Sequence, residues 1–540
     1  MSKVARYLQE HINGEVMTSA DAIKYFSTDC SIFEITPLMV VYPRTVSDVR
    51  KVARFSWQLA ERERILPITA RGKGTDQSGG AIGSGISMVF PAHMNGIVSL
   101  NKDRAIVQPG ANFGKIQQTL ITHGRYIPSY PGSMEYSSIG GAVANNASGE
   151  RSLKFGSMRN YTKALQVVLA NGEVIRTSRL SKRELGKKMG LTTMEGEVYR
   201  QLDALIMDNW DTINRSKIGV TKNSAGYDLV DVKHKDGSFD LTPLIVGSQG
   251  TLGIVTEIEV STEEHSSEST LVVGFYDSLK KAANSIKQLE KTNPVALEFI
   301  DVNLLNFLDK HNPKQLAGLV DKPFPQVILL AEFDGKTRIQ KRNSKKAMKI
   351  IDKHADNVRL ESNQSKREEL WKIRHSAASV NWQDINGAKA LPIVEDGVVP
   401  SSKFAEYINA VYELFKKHGQ KVAIWGHAGD CNIHIQPFID LSKTGDRQKA
   451  FKIMDEYYQL VISMGGSTNG EHGDGRLRGP YLKSLYGEET YILFEKTKKI
   501  FDPYGILNPG VKIGVDIKDL APILRKEYSL DHLYDHMPRT

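Results

Sequence analysis

Two histidines, His427 and His434, flank the turn of "IWGHAGDCNIHIQPF" (424–438), and Glu471 adjoins His472 in the glycine-rich "GGSTNGEHGDGRLRG" (465–479). Period-two alternation along "CNIHIQPF" sets Asn432, His434 and Gln436 on one face of a strand. A hairpin across Gly429-Asp430 then brings both imidazoles within reach of one ion. Two imidazoles and a carboxylate with open positions form a donor set for a divalent metal. The hairpin alone fits equally well with two histidines that satisfy hydrogen bonds in a strand pair. The second loop shifts that balance, because neighbours in an extended loop diverge: Glu471 can ligate while His472 faces a substrate as a base.

Three glycine-rich loops accompany this group. "ARGKGTDQSGG" (70–80) follows the β-like "ILPIT", and its glycines let successive backbone N–H groups converge on an anion. "PGSMEYSSIGGAVANNASG" (131–149) repeats the device and opens a helix whose N-terminus favours a phosphate. "IVGSQGTLGIVTE" (245–257) has the same texture and ends in a strand. Two such loops suit a diphosphate, and neither matches a Rossmann fingerprint or a Walker A loop.

The elements that must position these residues fall into two large parts. From about 36 to 262, short β-rich runs alternate with glycine; after 262, strands alternate with helices, as in "TLVVGFYD" followed by "SLKKAANSIKQLEK". The second part reads as an α+β domain with helices over one face of its sheet. In its helix "SSKFAEYINAVYELFKKHG", Phe404, Ile408, Val411 and Phe415 share a face and Gly419 marks the stop. Residues 1–35 read as a helical arm, with Val4, Leu8 and Ile12 at four-residue spacing. The tail 501–540, from "FDPYGILNPG", carries turn signals and returns to the first domain.

Composition narrows the partners. Cys30 and Cys431 are the only cysteines, too few for a four-cysteine iron–sulfur cluster or a disulfide framework, and a reducing compartment fits. No apolar run approaches the roughly 18 residues of a membrane span, and the N-terminus has no signal core. The net charge of +9 owes much to "KTRIQKRNSKKAMKIIDKH" (336–354), which reads as a solvated helix face. Without an aromatic-interleaved basic motif or zinc-finger spacing, no nucleic-acid partner is expected. A cytoplasmic protein is expected, and peripheral attachment at the inner face of a membrane and a homodimer are both compatible with it.

The three glycine loops, in this order, resemble the FAD domain of the vanillyl-alcohol oxidase and p-cresol methylhydroxylase flavoprotein superfamily. With the second half included, residues 36–515 resemble the FAD-linked D-2-hydroxyacid dehydrogenases of the D-lactate, glycolate and D-2-hydroxyglutarate type. The resemblance implies an α+β protein: a two-part FAD-binding domain (36–262), a cap domain for substrate and metal with an antiparallel sheet covered by helices (263–500), and the return segment. By carry-over, Arg71, Gly72, Lys73, Gly74, Thr75, Ser78, Gly79 and Gly80 would wrap the FAD pyrophosphate. Pro131, Gly132, Ser133, Ser138, Gly141, Asn145 and Gly149 would line the flavin, with Gly250, Thr251, Gly253, Ile254 and Val255 also touching the cofactor. Relatives with covalent FAD often carry histidine in the first loop; Gly74-Thr75-Asp76 stands here, implying non-covalent FAD. Gln249 replaces a glutamate common in the family.

The family pattern His-x-Gly-Asp-Gly-Asn-x-His with Gly-Glu-His-Gly implies His427, His434 and Glu471 as ligands of a divalent metal (Zn, Mn or Fe) and His472 as the catalytic base. Cys431 replaces the pattern's turn glycine, which strains the hairpin if a positive φ is required and sets a soft ligand beside the site. Arg374 and Lys389 match carboxylate-binding positions, while Glu395 and Asp396, before the Val-Val-Pro turn, fit equally an orienting role towards a ligand or base and a solvent-facing acidic pair. The implied reaction oxidises a D-2-hydroxy acid, D-lactate foremost, to the 2-keto acid by hydride transfer to flavin. Electrons would pass to a separate acceptor: an iron–sulfur protein, a quinone or a cytochrome. The alternatives are a glycolate-type oxidase that uses oxygen and a non-catalytic flavin subunit of an electron-transfer complex. The intact His427, His434, Glu471 and His472 set argues against the subunit.

Overall fold

The computed structural model describes residues 2–377, 384–385 and 387–533. In the first half, a mixed sheet has the order Glu15–Met17, Met39–Tyr42, Ile86–Val89, Ile68–Arg71, with the last three strands parallel. Residues 2–35, expected as an arm, are built into this unit. Glu15–Met17 supplies the edge strand, and Ala5, Leu8 and Ile12 are buried in one core with Met39 and Val41. An apolar stripe of three residues needs a partner surface, and the sheet provides it.

The second sheet of this half is antiparallel, in the order Ile97–Leu100, Arg104–Val107, Ile254–Ser261, Thr162–Val168, Val174–Thr177. Strand Ile254–Ser261 alternates buried and half-buried residues along its whole length. The third glycine loop feeds directly into it. The first glycine loop leaves strand Ile68–Arg71, and in the second Ser138 caps helix Ile139–Asn145 by accepting from Gly141 N (3.2 Å).

The second half is a seven-stranded antiparallel sheet, ordered Asn357–Glu361, Thr270–Tyr276, Val327–Phe333, Ala296–Asp301, Ile424–His427, Asn432–Ile435, Gly397–Val398. Helices cover both of its faces rather than one. Leu297, Phe299 and Leu329 pack towards helices Leu279–Leu289, Thr337–Asp352 and Phe404–Lys417. Ile300, Ile328 and Leu330 pack towards Val302–His311 and Gln364–His375. The strand "VILLAEF" is buried at every position, and the apolar run "VILLA" that begins it is the mark of a strand covered twice.

Phe404, Ile408, Val411 and Phe415 are all buried, and Gly419 (φ +68°) ends the helix as Gly419 N donates to Lys416 O and Gln420 N to Phe415 O (2.9 Å each). Helix Thr337–Asp352 buries Gln340, Ser344, Ala347 and Ile351 and turns its basic residues to solvent.

The chain then returns to the first half. Ile506 and Leu507 are buried in the core of the mixed sheet, and Ile68 N donates to Ile506 O (2.7 Å). Asn508 Nδ2 donates to Gly80 O and Gln249 O (2.8 Å each), tying the first and third glycine loops together. Residues 534–540 of the expected tail lie outside the described residues. Among the described residues, no helix is long and apolar enough to cross a membrane.

Candidate active site at the junction of the two halves

The hairpin is formed by strands Ile424–His427 and Asn432–Ile435, with His427 opposite Asn432 and Trp425 opposite His434. Cross-strand partners share a face, so His427, Asn432 and His434 lie on the same side of the sheet. The turn residue Cys431 adopts φ +54°, ψ +33°, the left-handed conformation that the sequence comparison made a concern. A side chain there costs about 1–2 kcal/mol. The thiol does not join the polar group: it is buried in the cap core, with Sγ 3.6 Å from Ala428 O, and burial pushes its pKa up. The expected soft ligand is therefore absent from the metal-type cluster.

The "GEHGDG" loop is aimed by Asp396. One oxygen of its carboxylate, Oδ2, accepts from both Glu471 N (2.9 Å) and His472 N (2.8 Å), so the two side chains leave a fixed backbone. Gly473 has φ +85°, and a Cβ there would meet Gln249 Nε2 at 2.5 Å; only glycine lets the loop lie against the third glycine loop. From the first half, Ser152 Oγ donates to Asp430 Oδ2 (2.6 Å) and pins the hairpin turn.

His427, His434 and Glu471 offer ligand atoms that lie within 4.8 Å of one another. Glu471 Oε1 is 3.2 Å from His427 Nε2 and 3.3 Å from His434 Nε2. A tetrahedron with bonds of roughly 2.0–2.1 Å has donor–donor edges of about 3.3 Å, so the spacing suits a metal of zinc type. The other oxygen is committed: Glu471 Oε2 accepts from Lys222 Nζ (2.7 Å) and Ser148 Oγ (2.8 Å). His427 Nδ1 faces Glu298 Oε1 (2.8 Å), a bond that turns Nε2 towards Glu471. His434 Nδ1 is buried and has no formed hydrogen bond, at 3.4 Å from Glu395 Oε2. The donor set fits a divalent cation.

Around it, charge is dense. Burial alone would raise Glu471, yet Lys222 and His427 hold it well below the usual carboxylate range. Burial likewise opposes ionisation of Glu395, but His472, His434 and Arg478 hold it low; Arg478 Nη2 lies 2.9 Å away. The His472 Nδ1 bonds Glu395 Oε1. Burial works against a charge on His472, and the facing Glu395 and Asp396 outweigh it, raising the imidazole to about 10. His427 is also raised: burial opposes its charge and Glu298 more than compensates. Ligation needs the neutral imidazole, so protons compete with a cation for the histidines and the apparent metal affinity is expected to fall on acidification; an apparent Kd that stays constant from about pH 8 to about pH 5 would rule out imidazole ligation.

Beside this cluster lie two adjoining cavities. A cleft with about 820 Å³ of empty space is lined by Arg71, Gly72, Lys73, Gly74, Thr75 and Gly80, and by Ser138, Gly141, Asn145, Gly250, Gly253 and Val255. A second, of about 1540 Å³, is lined by Pro131, Gly132, Ser133 and Gly149 together with Arg374, His427, His434, Glu471 and His472. Thr75, Asp76, Gly141 and Asn145 belong to both walls, which makes one trough from the glycine loops to the histidines. A Cβ on Gly72 would lie 2.1 Å from Ser138 Oγ, so glycine allows the two loops to converge. On the cleft wall, Arg71 is almost wholly buried and its Nε and Nη2 have no hydrogen-bond partner among the described residues. A buried cation with open donors in a long, glycine-lined cleft fits the diphosphate of FAD.

Not every expected contact is on these walls. Ser78 Oγ is held by Asp76, and its carbonyl accepts Arg476 N (2.8 Å); Gly79 packs on Phe33. Thr251 is buried against the Tyr227 hydroxyl (2.6 Å), and Ile254 lies in the core of the mixed sheet. These four hold the loops rather than line the cleft. Lys389 sits on a small three-stranded sheet opposite Asp384 and Ile439, away from the cavity wall. Arg374 does line the cavity, with Nε 2.7 Å from Glu298 Oε2.

Sequence reasoning missed Glu298, Lys222, Ser148 and Arg478. Glu298 had a signal, as the one charged residue inside the apolar run "VALEFI". Lys222, in "VTKNSAG", and Ser148 had none, since their roles arise from a contact between distant parts of the chain. Gln249, noted as a departure from the family pattern, bridges Ser78 Oγ, Asn145 Oδ1 and Gly475 N, with Oε1 accepting from the last.

Comparison with known proteins places both halves. Residues 37–178 match the family described as FAD binding domain, and residues 265–511 match FAD linked oxidases, C-terminal domain. The chain is 29% identical to the glycolate oxidase subunit GlcD of Bacillus subtilis (strain 168), covering 90% of this chain and 91% of the relative. It is 26% identical to a D-lactate dehydrogenase of Archaeoglobus fulgidus, covering 92% and 96%. It is 29% identical to the D-2-hydroxyglutarate dehydrogenase of Escherichia coli (strain K12), covering 93% of this chain but 50% of that protein, so it spans about half of that relative's length. In structure it is similar to p-cresol methylhydroxylase, with a TM-score of 0.67, 15% identity, and coverage of 96% of this chain and 97% of the other.

Proposed function

We propose, from the premise that the chain carries the FAD binding domain and the C-terminal domain of the FAD linked oxidases, that it oxidises a D-2-hydroxy acid, D-lactate first among them, to the 2-keto acid. The observation that carries this reading is the placement of a three-donor cluster and a poised histidine at the end of the FAD trough. FAD supplies the two-electron acceptor. His427, His434 and Glu471 would hold a divalent cation, whose positive charge would favour loss of a proton from the substrate hydroxyl and, by offsetting the carboxylates, from His472.

The chain's own residues do the rest. Arg374, on the cavity wall, offers a guanidinium to the substrate carboxylate. His472 presents Nε2, 3.7 Å from Glu471 Oε1, and takes the hydroxyl proton there. Its Nδ1, bonded to Glu395, fixes the ring, and the carboxylate stabilises the imidazolium that forms. Arg478, fully buried, keeps Glu395 ionised for that task. As the proton leaves the hydroxyl, the hydrogen on C2 departs with its electron pair and the carbonyl forms. Electrons then pass to a separate acceptor, for which an iron–sulfur protein, a quinone or a cytochrome each has suitable chemistry.

The test is anaerobic mixing of the yellow protein with D-lactate, D-2-hydroxyglutarate, glycolate and L-lactate. Loss of the flavin absorbance with a D-2-hydroxy acid, and not with L-lactate, is the expected result; an unchanged spectrum with all of them rejects the proposal. Acid denaturation should release the flavin as free FAD, since the trough holds it by loops and charge alone.

A further inference from the structure

Part of the cavity lining beside His472, contributed by Tyr528, Leu530 and Leu533, is not used by the chemistry above. Residues 520–533 cross the molecule as a strap along residues 29–34. Glu34 N donates to Ile523 O (2.8 Å) and Arg525 N to Ile32 O (3.0 Å), while the Arg525 guanidinium reaches Asp29 O and Ser31 O (3.3 Å each). The Tyr528 hydroxyl donates to Cys30 O (2.9 Å), and His532 Nε2 lies 3.1 Å from Gly74 O in the first glycine loop. Anchored at both ends, the strap puts Tyr528, Leu530 and Leu533 on the cavity wall that carries Arg374, Glu395 and His472. Tyr528 and Leu530 are buried, and Leu533 is half-buried.

Guanidinium and ammonium groups are scarce in the lining of this cavity. Among the described residues that line it, Arg374 is the one arginine or lysine, against the carboxylates Asp76, Glu150, Glu395 and Glu471. Arg374 already shares Glu298, and His375 faces Glu150 at 3.2 Å. One substrate carboxylate can be met here. A second, at the far end of the substrate, would lose its water against Tyr528, Leu530 and Leu533, with no second guanidinium or ammonium among the described lining residues to meet it.

Resting on the 2-hydroxy acid reading, we propose that Tyr528, Leu530 and Leu533 recognise the substrate's side chain, so that the protein takes 2-hydroxy monocarboxylates with an apolar substituent rather than 2-hydroxy dicarboxylates. One methylene in such a pocket is worth about 10- to 200-fold in discrimination, so the preference is measurable.

The experiment compares kcat/KM for flavin reduction in the FAD-loaded protein with D-lactate, D-2-hydroxy-4-methylpentanoate and D-2-hydroxyglutarate. Wild type is expected to favour the branched acid over D-2-hydroxyglutarate by about 100-fold or more. Leu530→Ala should cut the ratio of branched acid to D-lactate by about tenfold. Leu533→Lys, whose stem can lie along the wall and deliver an ammonium, should raise the rate with D-2-hydroxyglutarate. Equal or faster reduction by D-2-hydroxyglutarate in wild type overturns the proposal, as does an unchanged ratio in a Leu530→Ala protein that retains its flavin. If that variant loses flavin, Leu533→Ala gives the same readout with the same two outcomes. No reduction by any of the three acids overturns the 2-hydroxy acid reading itself, and the strap's role with it.

Discussion

His472→Ala is expected to slow flavin reduction by a 2-hydroxy acid by about 10²- to 10⁴-fold while FAD and metal content stay at wild-type levels. The ligand atoms of His427, His434 and Glu471 converge without His472, and its imidazole does not hold the glycine loops, so its removal leaves both sites standing. In wild type the base must first be free of its proton, and the carboxylates of Glu395 and Asp396 resist that. The reduction rate should therefore rise with pH as His472 deprotonates, and this limb should vanish in the variant. Stopped-flow absorbance gives both quantities. Reduction at the normal rate in His472→Ala would mean that another residue takes the proton.

Glu471→Ala is expected to do more damage of a different kind. It removes one of three donors, so divalent metal should be lost and substrate chelation weakened together. It also strands Lys222, whose side chain is 4% exposed and whose short partner is Glu471 Oε2. Breaking a buried pair from one side costs about 3–5 kcal/mol, a large share of a protein's stability. Denaturant unfolding of Glu471→Ala and Glu471→Gln, with metal analysis of each, separates the two effects: glutamine keeps a hydrogen-bond acceptor for Lys222 and should recover part of the stability without recovering metal. A Glu471→Ala protein as stable as wild type, with metal retained, would contradict both assignments.

How much of this was visible in the residues alone depends on the range over which each signal acts. The alternation that put His434 on a polar face and the loop that separated Glu471 from His472 are local patterns, and the hairpin carries the two histidines on one face. The glycine loops were legible for the same reason: positive φ at Gly74 and close approach at Gly72 are demands on single positions. Ser78, Gly79, Thr251 and Ile254 belong to those loops, yet a motif cannot tell which residue faces the ligand and which faces the core. Lys222 and Ser148 were invisible because each reaches Glu471 across the packing of one half on the other, and Arg478 because it meets Glu395 across a long stretch of the cap. Helices were expected over one face of the cap sheet; the run "VILLA", five apolar residues with no polar alternation, was the local sign that both faces are covered.

The return of Ile506, Leu507 and Asn508 to the mixed sheet has a consequence for biosynthesis. Asn508 ties Gly80 to Gln249, and Thr69 Oγ1 donates to Asn508 Oδ1 (3.0 Å), so the junction of two cofactor loops is closed by residues made after the whole cap. While the ribosome is still extending the cap, the nascent first half has an unfilled socket where Ile506 and Leu507 belong. Contacts of such long sequence separation form slowly, because loop closure must precede their reward. Capture of FAD is therefore expected to follow synthesis of the cap, and residues 36–262 expressed alone would meet the cofactor without the residue that ties the first and third glycine loops together.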